Sequence, residues 1–406
     1  MVRIASFILW VWFGVCGGLA LAVDLPQLTP DQAGLNAERL AEIDGLVATA
    51  IAEKKLPGCV ILIGRPEGIA WLKAFGDRRF EPEREPMTDD TVFDLASLTK
   101  PLATATSIMK LVEQGKLSLD DLVSKHIPEF GVEGKETITI RDLLVHRSGL
   151  IPDNAMADYA DGPLKAKERL FALKLSAPVG SKFMYSDVNF MVLGEVVARV
   201  SGQSLNEFAH REVFAPLGMT ETMYLPTEPL RQRAAPTEQR AGRWMQGEVH
   251  DPRAYKLGGV AGHAGLFGTA RDLARYATDA LSGINGDSSR ILKQETWRTM
   301  TTRQTIDGTD RQGQPTADVR GLGWDMQSRY SSNRGTKFSP SAFGHGGFTG
   351  TSLWIDPENN LYVIFLSNRV HPNGKGLVNP LAGQIGELAV EALESKRDST
   401  AKNPSP

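Results

Sequence analysis

Strong strand signals stand at both ends of this sequence, and almost none stand between them. Near the start, the apolar run Cys59–Gly64 is followed by Ile69–Phe75 across the turn Arg65–Pro66–Glu67–Gly68. Near the end, Thr351–Ile355 and Leu361–Leu366 flank Asp356–Pro357–Glu358–Asn359–Asn360. Short β-branched and aromatic runs bounded by turn residues read as hairpins. Leu40, Ile43, Leu46, Val47 and Ile51 recur at helical spacing within residues 36–55, and a last helix is expected at about Leu381–Leu393. From Pro152 to about Glu248 the pattern is helices and long loops, while residues 301–340 are polar with strand signals too weak to assign. This interleaved order predicts one α/β (α+β) unit assembled from both chain ends around a mostly helical insertion. The α/β part is expected over about 35–95 and 255–395, the helical part over about 96–254, and the cleft between them is the expected site.

The ends of the chain read differently from its body. Arg3, the apolar stretch Ile4 to Val15, and Ala20–Leu21–Ala22 have the order of an export signal over residues 1–22. The apolar stretch is long, which leaves an uncleaved anchor as the alternative. Nothing later is expected to span a membrane, so a periplasmic or secreted domain over 23–395 is predicted, followed by a disordered polar tail at 396–406. After cleavage Cys59 is the one cysteine left, which excludes an intramolecular disulfide and places a thiol inside an apolar strand. With 41% hydrophobic residues and a net charge of −3, the chain gives no reason to expect nucleic acid as a partner. A small-molecule or peptide substrate and a monomer are expected.

Candidate chemistry begins at Phe93–Asp94–Leu95–Ala96–Ser97–Leu98–Thr99–Lys100–Pro101. Serine and lysine three apart share one face of a helix's first turn. A lysine of lowered pKa can then accept the hydroxyl proton. Pro101 lacks an amide hydrogen and fits an opening turn, so Ser97 is expected near a helix N-terminus, where free amides stabilise an oxyanion. The same spacing recurs at Ser107–Lys110 and Ser399–Lys402, so it needs support from elsewhere. Two stretches supply it: Phe183–Met184–Tyr185–Ser186–Asp187–Val188–Asn189–Phe190, and Phe343–Gly344–His345–Gly346–Gly347–Phe348–Thr349–Gly350–Thr351.

The order Ser-x-x-Lys, Tyr-x-Asn-like, Lys-Thr-Gly-like resembles the serine β-lactamase and penicillin-binding superfamily. The spacing is most similar to its class C β-lactamase, D-alanyl-D-alanine carboxypeptidase and related esterase branch. Leu143–Leu144–Val145–His146–Arg147–Ser148–Gly149–Leu150, Pro216–Leu217–Gly218–Met219 and Thr269–Ala270–Arg271–Asp272–Leu273 add to the likeness, which spans roughly Leu35 to Leu393. The resemblance implies an antiparallel sheet flanked by helices and no cofactor. It implies Ser97 as nucleophile, Lys100 and Tyr185 as the general-base pair, and the Ser97 and Phe348 amides as oxyanion hole. Gly346 and Gly347 would let a strand edge approach the substrate.

Two positions depart from the family pattern. Asp187 stands where Asn is usual; an ionised Asp cannot donate to an amide carbonyl, and its charge should hold Lys100 protonated. His345 stands where Lys is usual, so anchoring of a substrate carboxylate is expected to depend on pH. Plainer roles exist for each residue: a helix cap for Ser97 or Asp187, a solvated Lys100, an aromatic wedge for Tyr185, a polar strand residue for His345. His263 either lines the cleft or belongs to a glycine-rich turn, and His146 is read as structural. The seven histidines show no His-x-x-x-His pairing, and no Gly-x-Ser-x-Gly elbow occurs, which disfavours a metal enzyme and an α/β-hydrolase. The expected activity is hydrolysis of cell-wall D-alanyl peptides or β-lactams. The alternatives are a carboxylesterase on small acyl esters and a non-catalytic binding or sensor module.

Overall fold

The computed structural model describes residues 24–286, 288–309 and 313–393. The export signal expected over 1–22 and the tail expected over 396–406 lie outside these residues. Nine strands form one antiparallel sheet: β1 Gly58–Arg65, β2 Gly68–Arg79, β3 Glu85–Pro86, β4 Gln304–Thr309, β5 Pro315–Arg320, β6 Asp325–Gln327, β7 Phe343–Gly347, β8 Thr351–Asp356 and β9 Leu361–Ser367. Their order is β3-β2-β1-β9-β8-β7-β6-β5-β4, so the two ends of the chain meet at the β1–β9 pair. Ile61 faces Phe365 and Leu62 faces Ile364 across that pair.

Both faces of the central strands are covered, which is why they read as unbroken apolar runs. Cys59, Ile61 and Ile63 pack into the layer of α1 (Ala37–Ala52) and the C-terminal helix Asn379–Glu391, whereas Val60 and Leu62 point into the larger core on the other face. That core holds the helix Ala270–Asn285 and the helical middle of the chain, including Thr106–Glu113 and Asp187–Ser201. Each fully buried Ile or Phe there contributes roughly 1.5–3 kcal/mol.

Two local expectations are corrected. The polar stretch 301–340 contains β4, β5 and β6, which extend the sheet at its edge. In β4 only Ile306 is buried, because an edge strand has little core to face, and β5 hides charge by pairing it, Asp318 with Arg329 at 2.9 Å. The helix carrying Asp187 is capped by Ser186, whose side chain accepts from the Asn189 amide, so Asp187 is free for another partner.

No helix among the described residues is long and apolar enough to cross a membrane. Cys59 is fully buried, and burial pushes its thiol far above the usual range. The thiol is therefore expected to stay silent towards Ellman's reagent in the native protein and to react stoichiometrically in urea. Fast native labelling would mean that the α1 layer opens.

Candidate active site

The nucleophile candidate sits on a strained turn. Ala96 has φ of +46°, unusual for a residue with a Cβ, and its amide donates to the Asp94 carboxylate at 2.8 Å. Ser97 lies in a 3₁₀ turn, Ala96–Leu98, and Lys100–Ala105 continues as a π-helical segment before the regular helix Thr106–Glu113. Pro101 brings no backbone donor of its own here, and its carbonyl accepts from both the amide and, at 2.8 Å, the hydroxyl of Thr106. A helix start after Ser97 is thus observed, with a wider first turn than a plain α-helix.

Lys100 is completely buried, with two hydrogen-bond acceptors and one carboxylate around its ammonium. Nζ donates to Ser97 Oγ at 3.0 Å and to the His263 carbonyl at 3.0 Å, and it lies 2.7 Å from Asp187 Oδ1. Burial works against the charge, but the Asp187 carboxylate and the Tyr185 phenol outweigh it, and the ammonium titrates above the ordinary lysine range. Tyr185 lines the same cleft as Ser97, and Lys100 Nζ lies 5.2 Å from the centre of its ring. Burial raises the pKa of the phenol, Lys100 opposes that rise in part, and Asp187 reinforces it. The ring is held by stacking on His146, 4.5 Å between centroids, and by Tyr330 at 5.0 Å. His146 Nδ1 accepts from the Ser186 amide at 3.1 Å, a structural role.

The strand segment after β7 is tied to the serine turn. Thr349 Oγ1 donates to the Asp94 carbonyl at 2.7 Å and Thr351 Oγ1 to the Leu95 carbonyl at 3.1 Å. A Cβ on Gly347 would stand 2.6 Å from the Leu95 carbonyl oxygen, so only glycine permits this approach. These contacts bring the Phe348 segment beside Ser97. The cleft has a volume of about 360 Å³, and Ser97, Tyr185, Asp187, His345 and Phe348 all line it.

The histidine of this segment differs from expectation. His345 is buried in β7, and its Nδ1 lies 2.8 Å from the Gly346 carbonyl, which makes Nδ1 the protonated nitrogen. Burial, then the nearby Arg320 and Lys100 charges, hold its pKa well below the usual histidine value. It is neutral across the physiological range, so the partial charge expected for it is not found. Sequence reasoning also passed over Asp94, Asp251, Arg320, Asn333 and Arg369. Asp251 pairs with His263 Nε2 at 2.9 Å, and the glycine-rich stretch around His263 was the one available signal. Asp187, Asp251 and His263 lie within 4.8 Å of one another, as metal ligands can, but Lys100 already occupies Asp187.

A neutral buried histidine destabilises the fold in acid. The unfolded chain binds its proton near pH 6.5, the native chain only well below that, so stability falls as pH drops through 6.5. Within that window one such group costs up to about 1.4 kcal/mol per pH unit. His345→Asn is expected to flatten the pH dependence of the urea midpoint between pH 7.5 and 5. An unchanged slope would show that His345 does not stay neutral.

Comparison with known proteins gives the family. The Beta-lactamase family profile matches residues 43–385, and the chain belongs to that family. It is 33% identical over 408 residues to a protein of Escherichia coli O157:H7 described as a "Putative D-alanyl-D-alanine carboxypeptidase", covering 90% of this chain and 91% of the relative. Among solved structures, EstCE1, a hydrolase with promiscuous acyltransferase activity, is 26% identical with a TM-score of 0.68, covering 87% of this chain and 99% of that one. A penicillin-binding protein homolog from Caulobacter crescentus, 21% identical, shares the fold with a TM-score of 0.70 over 89% of this chain and 99% of its own. The protein is a hydrolase of the β-lactamase fold.

Proposed function

We propose that the protein is an exported serine hydrolase that forms an acyl-enzyme at Ser97 and cleaves D-alanyl peptide bonds of the cell wall. The meeting of Ser97, Lys100 and Tyr185 in one cleft carries this reading, and the named carboxypeptidase relative supports the substrate class. Lys100 has no free lone pair, because the Asp187 carboxylate beside it keeps the amine protonated. It cannot be the base in the resting enzyme; it acts as a fixed positive charge beside Ser97 Oγ. Tyr185 is the proton carrier. Its pKa is raised, so free phenolate is scarce, and transfer is best served by a relay. As Ser97 Oγ bonds to the carbonyl carbon, its proton passes to Tyr185 Oη while the phenol proton passes to the leaving nitrogen. The Ser97 and Phe348 amides receive the oxyanion. Water then attacks the acyl group by the reverse relay and frees the serine.

A carboxylesterase is the second reading. Asp187 cannot donate a hydrogen bond to a substrate amide carbonyl, and the cleft mouth carries exposed apolar side chains, Phe348 at 61% and Leu377 at 67%. Intact-mass measurement after exposure to penicillin, a D-alanyl-D-alanine peptide thioester and a butyrate ester separates the readings. An adduct with the thioester or penicillin, absent in Ser97→Ala, is expected. An adduct from the butyrate ester alone would install the esterase, and none at all would leave a binding module.

Asp187 raises the pKa of both Lys100 and Tyr185. Its replacement by Asn lowers both, and because the relay uses the phenol and the ammonium in their protonated forms, the falling alkaline limb of the kcat/KM profile should move to lower pH by about one unit. A limb that stays in place would remove Tyr185 from the proton path.

A further inference from the structure

The serine turn and the buried ammonium are held by the same length of chain. At its entry, the His250 amide donates to Asp94 Oδ2 at 2.7 Å, and Asp94 Oδ1 accepts from the Ala96 amide at 2.8 Å. At its exit, the His263 carbonyl accepts from Lys100 Nζ at 3.0 Å, and the Gly262 carbonyl accepts from the Thr104 hydroxyl at 2.7 Å. Residues 250–263 thus form a strap along the Ser97 segment, tied to it at both ends. The exit is built from Gly258, Gly259, Val260, Ala261 and Gly262, a composition that leaves the backbone soft. A Cβ on Gly262 would stand 1.9 Å from the Phe190 carbonyl oxygen, so no side chain can secure the strap where it crosses the helix Asp187–Ser201. Packing there is incomplete as well: Val260, Ala261 and Gly262 line a cavity of about 220 Å³ together with Met191 and Leu205.

One side-chain bond spans the strap. His263 Nε2 donates to Asp251 Oδ1 at 2.9 Å, which joins the residue next to His250 to the residue whose carbonyl meets Lys100. The same oxygen accepts from the Arg253 and Ala254 amides at 2.9 and 2.8 Å, so the carboxylate is itself fixed at the start of the helix Pro252–Lys256. Burial raises its pKa, but His263, the Ala254 amide and the Lys100 charge bring it below the usual carboxylate range, and it acts as an acceptor only. His263 is 1% exposed, and its Nδ1 meets no hydrogen-bond partner among the described residues. A leucine would fill much of that space without leaving a buried nitrogen bare, so packing alone does not call for an imidazole here. The bond to Asp251 does.

We propose that Asp251 and His263 are positioning residues: their hydrogen bond closes the strap and sets the His263 carbonyl where it fixes the Lys100 ammonium beside Ser97. Neither side chain lines the cleft, so both act through Lys100. The kinetic part of the proposal rests on the acyl-enzyme reading; the structural part does not.

The direct readout is the Lys100 ammonium itself, observed by nitrogen-15 NMR in the full chain labelled at lysine and assigned with Lys100→Met. Its protons should exchange slowly with water in the wild type and in His263→Gln, whose side-chain amide can still donate to Asp251. In His263→Leu the exchange is expected to be about tenfold faster. Should that variant not fold, His263→Asn, whose shorter amide does not reach Asp251, takes its place. Asp251→Asn keeps Oδ1 as an acceptor and should stay close to the wild type, whereas Asp251→Ala should follow His263→Leu. Turnover of a D-alanyl-D-alanine peptide thioester, scaled to the folded fraction read by near-UV circular dichroism, is the second readout. In His263→Leu and Asp251→Ala kcat should fall about tenfold with KM within about twofold, and His263→Gln should restore it. An ammonium that exchanges as slowly in His263→Leu as in the wild type overturns the proposal. So does a His263→Gln no better than His263→Leu, which would reduce the histidine to packing. Turnover that survives in Ser97→Ala would overturn the acyl-enzyme reading alone, because the ammonium readout needs no turnover.

Discussion

The site depends on one buried ammonium. Taking Lys100 out of water costs several kcal/mol unless its charge and donors are met, and the interior meets them completely. The three acceptors come from the serine turn, the start of the Asp187 helix and the carbonyl of His263. None of these segments neighbours another in sequence, so the lysine is satisfied only when the helical middle has closed on the sheet. Formation of the site and completion of the fold are thereby one event. Removing any acceptor would strand a buried charge, which is worse than never having buried it.

A second tie joins the sheet to the nucleophile. Thr349 and Thr351 donate to the carbonyls of Asp94 and Leu95, while Gly347 lets the two backbones come close. The strain at Ala96 is held by the Asp94 carboxylate, which also accepts from the His250 amide at 2.7 Å. Strain of this kind persists only where surrounding contacts over-determine the backbone. Here those contacts come from strands built at the far end of the chain.

These ties explain what the sequence could and could not reveal. The central strands were legible as unbroken apolar runs because both of their faces are buried, and the helix Ala37–Ala52 because burial on one side imposes a period. Ser97, Lys100 and Tyr185 were legible as ordered motifs. The strands within 301–340 were not, because edge strands half in water carry polar residues that look like loop. Asp251, Asn333 and Arg369 were invisible for a different reason. Each is placed by contacts made across the fold, and no local pattern announces such contacts. His345 was visible, but its charge state was not, since burial and the Arg320 field set it.

The two departures from the family pattern make sense together once the neighbouring charges are counted. Asp187 adds a negative charge beside the lysine, and His345 supplies no positive one. Taken alone, the three motifs would leave the cleft electrically neutral. Arg320 does not change this, because Asp325 accompanies it at 3.2 Å. Arg369 does, since its contacts are backbone carbonyls and an aromatic face. The uncompensated positive charge of the cleft therefore lies at its rim, where solvent screens it, and not on the floor of β7.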